Sequence, residues 1–394
     1  MLSVKRRARH CYCYFHPNAA RRLKAAGARP ILGGKDRYLG RIALAMGDTH
    51  PMAIFTHPEF DHHEQVVFCY DEKTGLRSII AVHNTNLGPS LGGCRMWPYE
   101  TEEDAVTDVL RLSRGMTYKA AMANLALGGG KSVIIGDSKT DKTDDLFRAY
   151  GRYVDSLGRR YIAAEDVGTA VHDMDVVKSV TDHVVGVTGG AGDPSPSTAH
   201  GCLFGIQAAV RYKLKKNSLE DARVAIQGVG NVGYHLCDYL FKEGARLVVT
   251  DVHQPSIDRV AEEFGATVVD PDAIYEQDVE VFAPCALGAV INDETIPRLK
   301  APIVAGSSNN QLEDDRHGEA LRQRGILYAP DYVINSGGLI DVARFALDFD
   351  IEEGRRKLAL IDDTLVEIWT RADADGQAAN FVADRIAEER FGKH

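Results

Sequence analysis

No apolar run in this chain of 394 residues approaches the roughly 20 residues that a membrane-spanning helix needs, which excludes an integral helical membrane protein. Cysteine offers no disulfide framework. The seven stand at 11, 13, 69, 94, 202, 237 and 285, an odd number with scattered spacing. That pattern fits reduced thiols in a cytoplasmic protein. Cys11 and Cys13 have no matching cysteine or histidine cluster, so no metal site is expected. Internal repeats at the periods that mark solenoids are absent as well. Basic charge is outnumbered by acidic charge beyond the first 51 residues. These hold eleven Lys and Arg against Asp36 and Asp48, a net of +9, so the remainder carries −19. An acidic body argues against nucleic acid as a partner. The basic head could be a targeting peptide or a nucleic-acid arm, but it reads better as an in-frame extension ahead of a body that starts at Met52.

What is present is a globular composition, 44% apolar and 26% charged, in a chain long enough for two cores. "QVVFCYDEKTGLRSIIAVHNT" predicts two strands joined by a turn at Lys73-Thr74-Gly75. "NLGPSLGGCRMWPY" reads as a Gly/Pro-rich loop. Thr101 then caps a helix whose apolar positions Val106, Val109, Leu110, Leu112 and Met116 share a face. "KSVIIGD" and "YIAAEDVG" are predicted strands around the helix "TDDLFRAYGRYVDSL". "GVTGGAGDPSPS", residues 186–197, reads as an interdomain hinge. Beyond it strands and helices alternate, which predicts a parallel, doubly wound α/β sheet, and the end of the chain is mostly helical.

"VAIQGVGNVG" carries the first chemical signal. Gly228, Gly230 and Gly233 form G-x-G-x-x-G after a strand and at the start of a helix. Together with Val229, Asn231 and Val232 they form a loop suited to a pyrophosphate at a helix N-terminus. Asp251 ends the next strand, placed to bind a ribose 2′-hydroxyl, and no arginine follows it closely, which favours NAD over NADP. "LGGGKSVIIG" is not a phosphate-binding P-loop, because the glycine required at position 125 is Leu125. Its Lys131 sits where a buried strand begins, and desolvation would lower its pKa toward that of a base. Lys119 and Asp166 flank it in sequence. Two lysines and a carboxylate could bracket an amino acid, one lysine holding the carboxylate and the other acting as base. Against that stands a plain reading of both lysines as solvated or snorkelling side chains.

Residues 52–394 resemble the Glu/Leu/Phe/Val dehydrogenase family through "NTNLGPSLGGCRMW", "GMTYKAAMANLALGGGKSVIIGD", "AAEDVGT", "GDPSPSTAHG", "GVGNVG", "APCALGAVINDETIP", "GSSNNQL", "APDYVINSGGLI" and "ADRIAEER". The resemblance implies two α/β domains. Residues 52–185 would bind substrate and form a homo-oligomer, and 186–345 would be a Rossmann-type NAD domain. Residues 346–394 would return as helices to the first domain, with 1–51 outside the fold. It also implies Lys131 as the catalytic lysine, Asp166 as the acid that exchanges protons with the amine, and Lys119 as the anchor of the substrate α-carboxylate. Met116, Gly92 and Gly93 would lie near that carboxylate, and Thr198 and Asn310 beside nicotinamide and substrate. The implied reaction is reversible oxidative deamination of an L-amino acid to a 2-oxo acid with NAD. The glycines beside Lys131 would leave room for substrate and water.

Leu91 stands where glutamate-specific relatives carry a lysine, which speaks against a substrate side-chain carboxylate. Ala164, Leu339 and Val342 would complete an apolar pocket suited to leucine, valine or isoleucine. An aromatic amino acid is the alternative substrate. A non-catalytic nucleotide-binding regulator is the alternative of another class, and the presence of both Lys131 and Asp166 weighs against it.

Overall fold

The computed structural model describes residues 53–190 and 192–393. The basic segment 1–51 and the expected start at Met52 lie outside the described residues.

The first sheet begins with a hairpin of β1 (Gln65–Asp71) and β2 (Leu76–Asn84). Its turn closes through Gly75 at φ 73°, where Asp71 Oδ1 accepts the Thr74 N–H. β3 (Ser90–Trp97) corrects the expectation of a loop, since this segment is a strand lying between β4 (Gly128–Ile135) and β5 (Tyr161–Glu165). The reason is crowding. A Cβ at Gly92 would stand 1.7 Å from the Gly130 carbonyl oxygen, so glycine here marks close backbone approach within a sheet. The sheet order is β1-β2-β4-β3-β5, with β3 parallel to both neighbours.

Between β3 and β4 runs α1 (Glu102–Met122), opened by a capping box in which Thr101 and Asp104 satisfy each other's backbone N–H. α2 (Asp144–Ser156) precedes β5, and α3 (Val171–Lys178), which sequence reading missed, follows it.

α4 (Ser195–Leu214) starts the second half with Pro196 in its first turn, so the last residues of the expected hinge are helical. The second sheet is wholly parallel. β6 (Arg223–Gln227), α5 (Asn231–Lys242), β7 (Arg246–Thr250), α6 (Gln254–Phe264) and β8 (Thr267–Val268) run to one side. β9 (Val281–Pro284), β10 (Ile303–Val304), α7 (Arg316–Gln323) and β11 (Leu327–Tyr328) run to the other. The order β11-β10-β9-β6-β7-β8 reverses direction between β6 and β9, the switch point at which such sheets bind dinucleotides.

α8 (Asp331–Ile334), α9 (Gly337–Leu347), α10 (Ile351–Asp375) and α11 (Ala379–Phe391) complete the chain. α11 packs on α1: Tyr118 donates to Glu388 at 2.7 Å, Asn86 to the Phe391 carbonyl at 2.9 Å, and Lys393 pairs with Asp61 at 2.8 Å. Among the described residues no helix is long and apolar enough to cross a membrane.

Candidate active site

Strand alternation gathers the site on one sheet face. Leu91 lies opposite both Gly129 and Ile162, and Gly93 opposite Ala164. Period two then places Leu91, Gly93, Arg95, Gly129, Lys131, Ile162 and Ala164 on a common face, with Asp166 one residue past β5. α1 lies against this face so closely that a Cβ at Gly129 would stand 2.0 Å from the Thr117 nitrogen. At Gly128 it would meet the Asn84 carbonyl oxygen at 1.9 Å, and at Gly130 the Tyr161 ring at 2.7 Å. The three glycines therefore admit neighbouring protein, which corrects the expectation that they leave room for substrate and water.

Lys131 is 5% exposed, and its Nζ lies 3.0 Å from Asp166 Oδ2. The same oxygen receives Arg95 Nε at 3.0 Å. Burial pushes the Asp166 carboxyl up, but the charges of Lys131 and Arg95 outweigh it and hold the group below the ordinary carboxylate value. Arg95 reaches on to Asp108 of α1 at 2.8 Å, and Tyr99 donates to that same Asp108 oxygen at 2.6 Å.

Lys119, three residues after the half-buried Met116 on α1, has no hydrogen-bond or ion-pair partner among the described residues. Burial pushes its ammonium down to about 8, the nearby charge of Lys131 adds to the effect, and Asp331 opposes it. A half-buried, unpaired cation asks for an anion.

Leu91 and Ala164 are buried in the apolar cluster against which the half-buried Leu339 and Val342 of α9 also pack. Thr198 donates to the Pro194 carbonyl at 3.0 Å in the first turn of α4. A Cβ at Gly338 would stand 2.6 Å from its hydroxyl, so the first turns of α4 and α9 touch. Asn310 is exposed, at φ 51°, and its carbonyl accepts the Ala289 N–H at 2.7 Å. A cavity of about 390 Å³ between β5 and the end of α9, lined by Ile162, Val185 and Phe345, does not include the two lysines or Asp166.

At the end of β6 each glycine of the motif has a distinct task. Gly228 takes φ 99°, Gly233 packs where a Cβ would stand 2.0 Å from the Gly228 carbonyl oxygen, and Gly230 faces open space within 4 Å. α5 begins at Asn231 with no side-chain cap and no acid in its first turn, leaving its N–H groups available to an anion. Asp251 accepts the Val229 N–H at 2.7 Å and the His253 N–H at 2.9 Å, tying the loop to the end of β7. Val232 is half-buried, and Val252 is 96% exposed.

Sequence reading missed Arg95, Tyr99, Asp108, Asp331 and Asn335. Arg95 was signalled by alternation from Gly93 once β3 is recognised as a strand. Asn335, which donates to the Ser307 carbonyl at 3.1 Å and to Asn309 Oδ1 at 2.8 Å beside Asn310, carried no local signal.

Residues 63–183 match the model of the Glu/Leu/Phe/Val dehydrogenase dimerisation domain, and 189–254 and 249–347 that of Glutamate/Leucine/Phenylalanine/Valine dehydrogenase. The chain is 52% identical to leucine dehydrogenase of Bacillus subtilis over 343 residues, 86% of this chain and 94% of that protein. It is 49% identical to phenylalanine dehydrogenase of Bacillus thermotolerans over 84% of this chain and 89% of that protein. The crystal structure of L-tryptophan dehydrogenase from Nostoc punctiforme is similar with TM-score 0.77 and 46% identity, covering 84% of this chain and 96% of that one.

Proposed function

The chain belongs to the Glu/Leu/Phe/Val dehydrogenase family, and from that premise we propose how its own residues carry the reaction. It is an amino-acid dehydrogenase that oxidatively deaminates branched-chain L-amino acids, reversibly, to 2-oxo acids and ammonium. The family's reaction uses a nicotinamide dinucleotide, and the loop at Gly228–Gly233 fits one, because the backbone at Gly230 is open while the other two glycines are filled by protein. We assign NAD as that dinucleotide. Asp251 has lone pairs left for ribose hydroxyls, and its charge would repel a 2′-phosphate. When bound, the cofactor supplies the hydride acceptor at its nicotinamide.

The observation that carries the assignment is the unpaired Lys119 of α1, the helix packed on this sheet face, within electrostatic reach of the Lys131–Asp166 pair. Lys119 pairs with the substrate carboxylate and sets the position of Cα. Asp166 takes a proton from the substrate ammonium, so that the nitrogen lone pair assists loss of hydride from Cα. Lys131 then removes a proton from the water that attacks the imine carbon, Asp166 returns its proton to the amine nitrogen, and as the C–N bond breaks the hydroxyl proton passes to the departing ammonia, leaving the 2-oxo acid and ammonium. Leu91, Ala164, Leu339 and Val342 form the apolar wall for the side chain.

We also propose a homo-oligomer assembled through the first sheet. Its outer strand β1 exposes Phe68 and Tyr70, 48% and 65% exposed, at a sheet edge. Light scattering checks this, and a monomer would refute it. The five described cysteines are all free, which suits a reducing cytoplasm. A substrate panel of leucine, valine, isoleucine, phenylalanine, tryptophan and glutamate, followed by NADH absorbance, tests the reading. The highest kcat/KM should fall on a branched aliphatic substrate. A maximum on an aromatic substrate would overturn the pocket assignment, and a preference for NADP would overturn the reading of Asp251.

A further inference from the structure

We propose that Arg95, by bridging Asp166 to Asp108, is a positioning residue that holds the Asp166 carboxylate in one rotation through the whole reaction, an inference that rests on the roles given above to Asp166 and Lys131. Both cations meet the same oxygen: Lys131 Nζ and Arg95 Nε each lie 3.0 Å from Asp166 Oδ2. Asp166 Oδ1 accepts no hydrogen bond among the described residues. A carboxylate with one oxygen saturated by two cations presents the other to the substrate amine.

Lys131 cannot hold that arrangement alone. In the proposed cycle it alternates between ammonium and amine, and the neutral amine exerts no charge attraction on the carboxylate. Arginine does not deprotonate in this range, so its hold is constant. Arg95 is braced in turn. Its second contact, to Asp108 at 2.8 Å, is made to α1, the helix that carries Lys119, and Tyr99 fixes the same Asp108 oxygen from the side at 2.6 Å. The bridge therefore sets the separation between the acid and the carboxylate anchor, which is the geometry the substrate must span. Charge balances within it, two cations against two carboxylates, so no buried charge is left over. The other titratable groups near Asp166 are Tyr99 and, from the opposite sheet face, Cys94 and Tyr161. Burial pushes all three up, so they remain protonated through the neutral range.

The test is a pH profile of kcat/KM for the amino acid in three variants. The charge of Arg95 helps to hold the Asp166 carboxyl below its ordinary value, so loss of that cation raises the affinity of Asp166 for its proton. Arg95→Gln should move the acid limb to higher pH and lower kcat by roughly 10- to 100-fold, a part of what a positioned proton-transfer group contributes. KM for the amino acid should hardly change, since Lys119 still holds the carboxylate. Arg95→Lys should return the limb to its wild-type pH but recover kcat only in part, because one ammonium cannot bridge in two directions. Asp108→Asn should lower kcat with the limb unmoved. An Arg95→Gln enzyme whose acid limb coincides with that of the wild type overturns the inference. If Arg95→Gln does not fold, full kcat in both Arg95→Lys and Asp108→Asn overturns it instead. Asp166→Asn separates the two levels: near-normal turnover there removes the parent reading, whereas an inactive Asp166→Asn beside an unshifted Arg95→Gln removes only the role of Arg95.

Discussion

The proposed reaction gives Lys119 and Lys131 opposite tasks, and their surroundings differ accordingly. Lys131 has a carboxylate against its ammonium, while Lys119 has only the charge of Asp331, without an ion pair, to set against the cost of burial. Lys119 should therefore lose its proton near pH 8 in the free enzyme. The sign follows: in the proposed mechanism the charged form anchors the substrate carboxylate, so KM for a 2-oxo acid should rise as pH climbs through that value. Lys119→Ala should have a high KM with no such rise. Initial rates with the 2-oxo acid between about pH 7 and 9.5 check it, and a wild-type KM that stays flat over this range would refute the anchor. At the other lysine, Lys131→Ala should lower kcat by about 10²–10⁴-fold while the affinity for the dinucleotide stays near normal. Undiminished turnover in that variant would remove the base from the mechanism.

At the scale of elements, glycine does two kinds of work, and substitution should separate them. Gly129 lets β4 lie against α1, and an added Cβ would strike the Thr117 backbone at 2.0 Å. Gly129→Ala should cost at least about 1–3 kcal/mol by overpacking, because backbone cannot rotate aside as a side chain can. It should also lower activity, since Lys131 and Lys119 ride on the two elements forced apart. Gly230 meets nothing within 4 Å and has φ −68°, so alanine fits the free protein. Gly230→Ala should unfold at the wild-type urea concentration yet raise KM for the dinucleotide, since the methyl group occupies the space of the pyrophosphate. Equal cofactor KM in Gly230→Ala and wild type would sink the proposed role of the loop.

For the molecule as a whole, the return of α11 to α1 closes the chain on itself through polar contacts that include an unusual carboxyl. Burial pushes Asp384 up to about 7, despite the hydrogen bond from Tyr332 at 2.8 Å and the charge of Arg114. An unfolded aspartate titrates near about 3.9. From about pH 4 to about pH 7 the unfolded chain has therefore released a proton that the folded chain keeps, and stability from this group falls as pH rises. Asp384→Asn removes that dependence. The stability difference between variant and wild type should move in favour of the variant across this window and level off above it, as read from urea unfolding at a series of pH values. A difference constant with pH would show that Asp384 is ionised in the folded protein.

The chain's local chemistry determined much of this structure by itself. Thr101 and Asp104 cap α1 from within four residues, apolar spacing marks the helix faces, and Gly228, Gly230 and Gly233 with Asp251 mark the dinucleotide crevice without reference to anything distant. The lysines and Asp166 were legible as residues, because a charged group beside a buried strand is costly and so conspicuous. Tertiary structure alone decided the rest. Ser90–Trp97 has the composition of a loop and becomes an inner strand because its glycines accept backbone from β4 and from the end of β5, contacts made by residues far away in the chain. Arg95 follows strand alternation once β3 is recognised, but its brace to Asp108 and Tyr99 follows no sequence period, and which oxygen of Asp166 stays free depends on where two cations from different strands converge. Periodicity and capping are local and can be read along the chain. Close approach of backbones and the pairing of buried charges are set by the packing of elements, which no short stretch of sequence contains.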